Sequence, residues 1–187
     1  KACVISTLLY GSESWTMRAH QEKRLNVFHM RCLRCILGIT WQDKVTNKVV
    51  LEKAGIPSLY TLLKQRRMRW LGHVTRMKDG RIPKDLLYGE LATGKRPTGR
   101  PQLRFKDVCK RDLQALGINT DSWEVTATDR DAWRHTVKVG LSQYEETQRV
   151  KAEEKRLYKK TACLASRPTT TFTFSKCDRD CHSQIGL

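Results

Sequence analysis

The 187-residue sequence is short of acid: 19 Asp and Glu stand against 36 Lys and Arg, a formal net charge of +17. It has no apolar run of about 18 residues, so no membrane-spanning helix is expected. A secretory signal is not expected either, because residues 4–10 are apolar but short and no small-residue cleavage pattern follows. Disulfide patterning is missing too. The seven cysteines are odd in number and scattered, which fits an intracellular, reducing location, nuclear or cytoplasmic, with free thiols or metal ligands. Hydrophobic residues make up only 39%, enough for one ordinary domain with appendages but not for a large core. The first residue is Lys1 rather than Met, so the chain is expected to be a processed product or a piece of a longer protein.

What is abundant is positive charge, and it is unevenly placed. Residues 1–110 hold 23 Lys/Arg against 8 Asp/Glu, and residues 111–187 hold 13 against 11. A field concentrated in this way repels itself without a polyanion. Nucleic acid is the first partner it implies, and an anionic membrane surface the second. The membrane reading is the weaker, because no basic helix shows an apolar insertion face beyond what its own core needs.

The pattern of apolar residues reads as helices separated by Gly and Pro, a mostly α fold without internal repeats. Residues 4–10 are either a strand or the end of a helix; periodicity cannot decide at that length. A helix is expected over residues 19–37 with Leu25, Phe28, Cys32 and Ile36 as its buried stripe and Leu33 widening it, stopped at Gly38. A shorter one spans residues 47–54, between Thr46 and Gly55. The next begins at Ser58 and runs to Met77, with Leu59, Leu62, Leu63, Trp70 and Val74 on one face. Lys64, Arg67 and Arg76 are expected elsewhere, and Arg66 and Arg69 on the flanks.

Residues 93–104 carry four cations and no acid among Gly and Pro, a basic arm without regular structure. Beyond it lie a helix over 102–116, a turn between Trp123 and Trp133, and a helix capped by Thr128 or Asp129. That last helix is amphipathic through Trp133, Val137, Leu141 and Tyr144, then polar on every face to Lys160. The expected organisation is a helical region 1–90, a basic Gly/Pro linker 91–104, a helical region 105–162 and a Cys-containing tail 163–187.

Three motifs suggest chemistry and are outweighed by plainer readings. Gly89-x₄-Gly94-Lys95 begins like a phosphate-binding loop, but Arg96 replaces the hydroxyl residue that would meet Mg²⁺, and prolines follow. Cys32-x₂-Cys35, with His29 three residues earlier, lies inside a helix where Cys32 fits the apolar stripe, so packing is the better account. His73 has no nucleophile or carboxylate in readable relation to it, so a phosphate or a neighbouring helix is its expected partner.

Several segments together resemble a known family. They are Leu8-Leu9-Tyr10-Gly11-Ser12-Glu13-Ser14-Trp15, then Leu33-Arg34-Cys35-Ile36-Leu37-Gly38-Ile39, then Arg69-Trp70-Leu71-Gly72-His73-Val74-Thr75-Arg76-Met77. Gly94-Lys95-Arg96-Pro97-Thr98-Gly99-Arg100-Pro101 follows, then Asp129-Arg130 with Trp133-Arg134, and finally Phe172 to Leu187. In this order they are similar to the carboxy-terminal thumb and tail of non-LTR (LINE-type) retrotransposon reverse transcriptases, over nearly the whole chain.

The resemblance implies a piece of an RNA-directed DNA polymerase whose fingers and palm lie elsewhere. That enzyme holds two Mg²⁺ ions on paired aspartates; no Asp-Asp dipeptide occurs here, so no polymerase activity is expected of this chain alone, and Mg²⁺ would belong to the palm. The family's tail is similar to a zinc finger. Here Phe174 stands where its first cysteine is expected, and Cys177, Cys181 and the adjacent His182 offer at most three ligands, so a broken zinc site and no required cofactor are expected.

The expected role is a phosphate grip on an RNA–DNA hybrid or duplex. Arg66, Arg67, Arg69 and Arg76 supply its surface, Trp70 and His73 lie beside it, and Lys95, Arg96, Arg100 and Arg104 form a flexible clamp. Two rivals differ in outcome. A stand-alone DNA-binding module would prefer one sequence strongly, and a non-functional remnant of a decayed element would melt without cooperativity.

Overall fold

Local chemistry sets the ends of the central helices. The Ser58 hydroxyl accepts a hydrogen bond from the Thr61 backbone N–H at 3.2 Å and starts one of them. Gly55, with φ at +58°, adopts the left-handed conformation that closes the helix before it. The computed structural model describes residues 2–89, 104–165, 172–173 and 180–181.

The protein is mostly α-helical, as its periodicity indicates. Among the described residues the helices are α1 (Ala2–Leu8), α2 (Ala19–Ile36), α3 (Asn47–Ala54), α4 (Leu59–Thr75), α5 (Ile82–Tyr88), α6 (Phe105–Ala115), α7 (Trp123–Thr128) and α8 (Arg130–Ala165). A 3-10 turn occupies Ser12–Ser14. Two short antiparallel strands, β1 (Phe172–Thr173) and β2 (Asp180–Cys181), pair Phe172 with Cys181. The chain divides into two compact units, residues 1–145 and residues 146–187.

Three apolar clusters hold the first unit together, and α4 contributes to two of them. Leu59 and Leu63 meet Leu9 beside α1. Met68, Leu71 and Val74 meet Leu87 of α5, Cys109 and Leu113 of α6, Ala127 of α7, and Trp133, Val137 and Leu141 of α8. Residues on both sides of segment 91–104 therefore share one core, and that segment does not separate two cores. The third cluster joins Met30 and Leu33 of α2 to Val50 and Ala54 of α3.

The α4–α8 crossing rests on a glycine. The Trp133 indole lies directly over Gly72, where an added Cβ would stand 2.3 Å from Nε1. The indole N–H donates to the Met68 carbonyl at 2.9 Å. The segments Trp70-Leu71-Gly72-His73 and Trp133-Arg134 are thus the two halves of one contact.

Some expectations give way. Residues 2–8 are helical, which removes the strand alternative. Along α2 the buried side chains are His29, Met30 and Leu33, whereas Phe28 is 51% and Ile36 71% exposed. Of the expected stripe, Leu33 is buried and Leu25 packs half-buried beside Leu9, so α3 and α4 cover one side of that stripe and leave the other in solvent. Helix α5 was not anticipated; Pro83 in its first turn fits a helix start and is no breaker there. Trp123 opens α7 instead of flanking a turn. Asp129, not Thr128, supplies the cap of α8, its carboxylate accepting the Asp131 N–H at 2.9 Å.

Candidate nucleic-acid interface

The arginines of α4 divide into buried and exposed sets. Arg67 is 1% exposed. Its Nε donates to Asp112 at 2.6 Å, and its guanidinium reaches Glu22 at 3.4 Å. Lys64 Nζ meets the other Asp112 oxygen at 2.5 Å and stands 5.1 Å from the centre of the Tyr144 ring. This network ties α2, α4, α6 and α8 together through groups taken out of water, where a charge needs a partner. Arg67 is therefore withdrawn from the expected duplex-facing surface, and Lys64 is engaged beside it in the same network.

The sequence held a signal for this. Arg67 lies four residues after Leu63 and four before Leu71, inside the apolar stripe, and Asp112 falls in the stripe of Phe105, Cys109 and Leu116. An acid and a base each occupying a core position on separate helices is the pattern of a buried pair. Cys109, beside them, has its thiol pushed up to about 12 by burial, with the Asp112 carboxylate adding and Arg67 opposing.

Arg66 is half-buried and also committed: its guanidinium donates to the Leu9 carbonyl at 2.7 Å and lies 4.0 Å from Glu13. It braces the first turn of the chain against α4 and is not among the residues that line the cleft of Arg69 and Arg76.

The exposed Arg69 and the half-buried Arg76 line a cleft. Arg69, His73 and Arg76 follow one another along α4 at steps of four and three residues, and α8 sets Arg130, Trp133 and Arg134 opposite them. The cleft has a volume of about 450 Å³ and no carboxylate in its lining. Trp133 forms its floor. Arg76 is fixed by donating to the Ala127 carbonyl at 2.6 Å, and Arg134 leans on the exposed Asp131 at 3.3 Å. The ring of His73 lies 5.4 Å from that of Trp70, at 45°. Four guanidinium groups in one acid-free depression repel one another, and an anion with several oxygens relieves that repulsion. Phosphate suits the planar guanidinium fork in both charge and geometry.

Of the residues expected from sequence, Arg69, His73 and Arg76 come together here, with Trp70 against His73 and packed on the core; Arg66 and Arg67 do not join them. Arg104 is exposed and pairs with Asp107 at 3.1 Å on the first turn of α6. Lys95, Arg96, Arg100 and Cys177 lie outside the described residues, and Cys181 is described only as part of β2. Arg130 and Arg134 are additions. Sequence periodicity places them on α8, but only the Trp133–Gly72 contact brings them to α4.

Comparison with known proteins gives one informative match. An uncharacterized transposon-derived protein of Caenorhabditis elegans is 28% identical over 142 residues, covering 72% of this chain and 51% of that protein. The chain spans about half the length of this relative. No family model matches the sequence, and no solved structure does.

Proposed function

We propose that this chain is the phosphate-gripping, carboxy-terminal part of a transposon-encoded reverse transcriptase of the non-LTR type, and that it holds an RNA–DNA hybrid or duplex without catalysing synthesis itself. The observation that carries the reading is the acid-free cleft of Arg69, His73, Arg76, Arg130 and Arg134. Similarity to a transposon-derived protein supports the element origin. The concentration of cations in residues 1–110 supports a polyanionic partner.

Binding through the cleft is electrostatic and reads backbone rather than base edges. Four phosphate contacts give a slope of log K against log salt of about −3.6 on duplex DNA, or ~150-fold weaker binding between 50 and 200 mM salt. The basic segment 93–104 adds to that slope in proportion to the phosphates it neutralises. Fingers and palm domains, and the Mg²⁺ they hold, are supplied elsewhere in the parent protein in this reading, and no zinc is required of the tail.

The test is duplex and hybrid binding by the wild type, by Arg69→Glu/Arg134→Glu and by the exposed control Arg111→Glu on α6. Loss of affinity and of slope in the double variant alone is the expected result. Losses in proportion to the charge reversed, one site in the control and two in the double variant, would assign binding to net charge instead of to the cleft. Failure of the wild type to bind at low salt, with a broad melt, would favour the inert remnant. A large preference for one duplex sequence would favour a stand-alone regulator.

A further inference from the structure

A second surface of the first unit carries an exposed tryptophan. Trp41 is 85% exposed, more than any other large apolar side chain described. A single exposed apolar ring is ordinary on a surface; what sets Trp41 apart is the braced turn that carries it and the depression beside it. The ring sits on an ordered turn. The Thr40 backbone N–H and hydroxyl both donate to Asp43, at 2.7 and 2.9 Å. The Lys44 N–H returns to the Trp41 carbonyl at 3.3 Å, and Lys44 itself holds a φ of +50°. These hydrogen bonds hold the Asp43 carboxyl below its ordinary range. Arg34 fastens the far end of the loop, donating to the Val45 carbonyl at 3.2 Å and to Asn47 at 2.7 Å. The indole is therefore presented by a braced segment.

Beside it lies a depression of about 600 Å³ between α2 and this loop. Met30 and Ile39 give it an apolar floor, Asn26 and Asn47 bring amides, and Arg31 and Arg34 bring cations; no carboxylate lines it. A flat aromatic face, amides that can meet a heterocycle's edge, and cations for a phosphate are the three parts of a site for an unpaired nucleotide. The cations distinguish it from a socket for an ordinary apolar peptide.

The geometry points to a single-strand subsite in which an unpaired base stacks on Trp41 while its phosphate lies against Arg31. This rests on the proposed nucleic-acid reading but concerns a different surface and a different form of the polymer. A duplex keeps its bases stacked internally and offers Trp41 no free face.

The experiment follows the red-edge fluorescence of the full chain, which Trp41 dominates because the other tryptophans are half-buried or buried. The probes are short oligothymidine, random duplex DNA and inorganic polyphosphate. Oligothymidine is expected to quench the wild type, and duplex and polyphosphate are not. Trp41→Ala is expected to abolish the quench and weaken oligothymidine binding about five- to hundredfold, with duplex affinity unchanged; Trp41→Phe is expected to restore most of the affinity. Arg69→Glu/Arg134→Glu is expected to lose duplex binding while retaining the quench. Oligothymidine affinity unaltered by Trp41→Ala, or an equal quench by polyphosphate, would overturn the subsite and leave the cleft standing. No binding of any probe at low salt would overturn both.

Discussion

Replacing Gly72 by Ala sets two effects against each other, and the structure decides the sign. In the interior of an isolated helix the change is stabilising by about 1 kcal/mol. Here the new methyl would stand 2.3 Å from Trp133 Nε1 and 2.5 Å from Cδ1. The indole would have to retreat by roughly 1 Å to reach ordinary contact distance. Overpacking of this kind costs about 1–3 kcal/mol. The retreat also breaks the bond from the indole N–H to Met68 and leaves a buried donor unpaired, which costs about 1–3 kcal/mol more. A net loss of about 1–5 kcal/mol is therefore expected, with a midpoint of about 3 kcal/mol that corresponds to roughly 6–12 °C in Tm for a unit of this size.

The assay is thermal unfolding followed by helical circular dichroism, on Gly72→Ala, Trp133→Phe and the double variant. Trp133→Phe alone destabilises, because it removes a buried ring and its hydrogen bond. On that background Gly72→Ala should cost less than in the wild type, since no indole N–H bond is left to break and only the ring carbon in the place of Cδ1 still clashes. A Gly72→Ala chain that melts at or above the wild-type temperature would refute the account of the α4–α8 crossing, and with it the joining of Arg130 and Arg134 to the α4 arginines.

Other consequences follow from the buried groups. Asp112→Ala leaves Arg67 and Lys64 facing each other without their carboxylate, so a loss of about 3–5 kcal/mol is expected in urea unfolding; a loss under ~1 kcal/mol would mean that the network is wetter than its geometry shows. His29 is buried, neither ring nitrogen has a hydrogen-bond partner, and burial lowers its pKa. The unfolded chain therefore takes up that proton first as pH falls. His29's contribution to stability is intact above the ordinary histidine range and is lost downward from about pH 6.5 until the lowered folded-state pKa is passed. His29→Leu should flatten that part of the stability–pH curve, and an unchanged curve would contradict it. With its thiol raised to about 12, Cys109 should resist a thiol reagent at neutral pH in the native chain and react only on unfolding, while the exposed Cys35 reacts at once. Mass mapping of the labelled peptides reads this directly.

The helical class and the positions of α2, α3, α4 and α6 were legible because periodicity, caps and terminal glycines agree there. Which face of each helix is buried was less legible. Phe28 and Ile36 satisfy helical spacing on α2 yet stand in solvent, because the partners of that helix lie to another side. On α4 the positions of the exposed Arg69 and the half-buried Arg76 were legible. That of Arg67 was not, since a base inside an apolar stripe is recognisable as buried only once an acid such as Asp112 is seen in a matching stripe. The cleft itself was half legible: its α4 side follows from the cationic run, and its α8 side depends on a packing contact between residues 61 positions apart, Gly72 and Trp133.

The most direct measurement is the salt dependence of RNA–DNA hybrid binding by the wild type and by Arg69→Glu/Arg134→Glu. A steep negative slope in the wild type, of about −3 or beyond on a duplex scale, and a clearly shallower one in the double variant with its melting temperature unchanged, is the expected result. Equal slopes for the two proteins would contradict the cleft as the site of the phosphate grip.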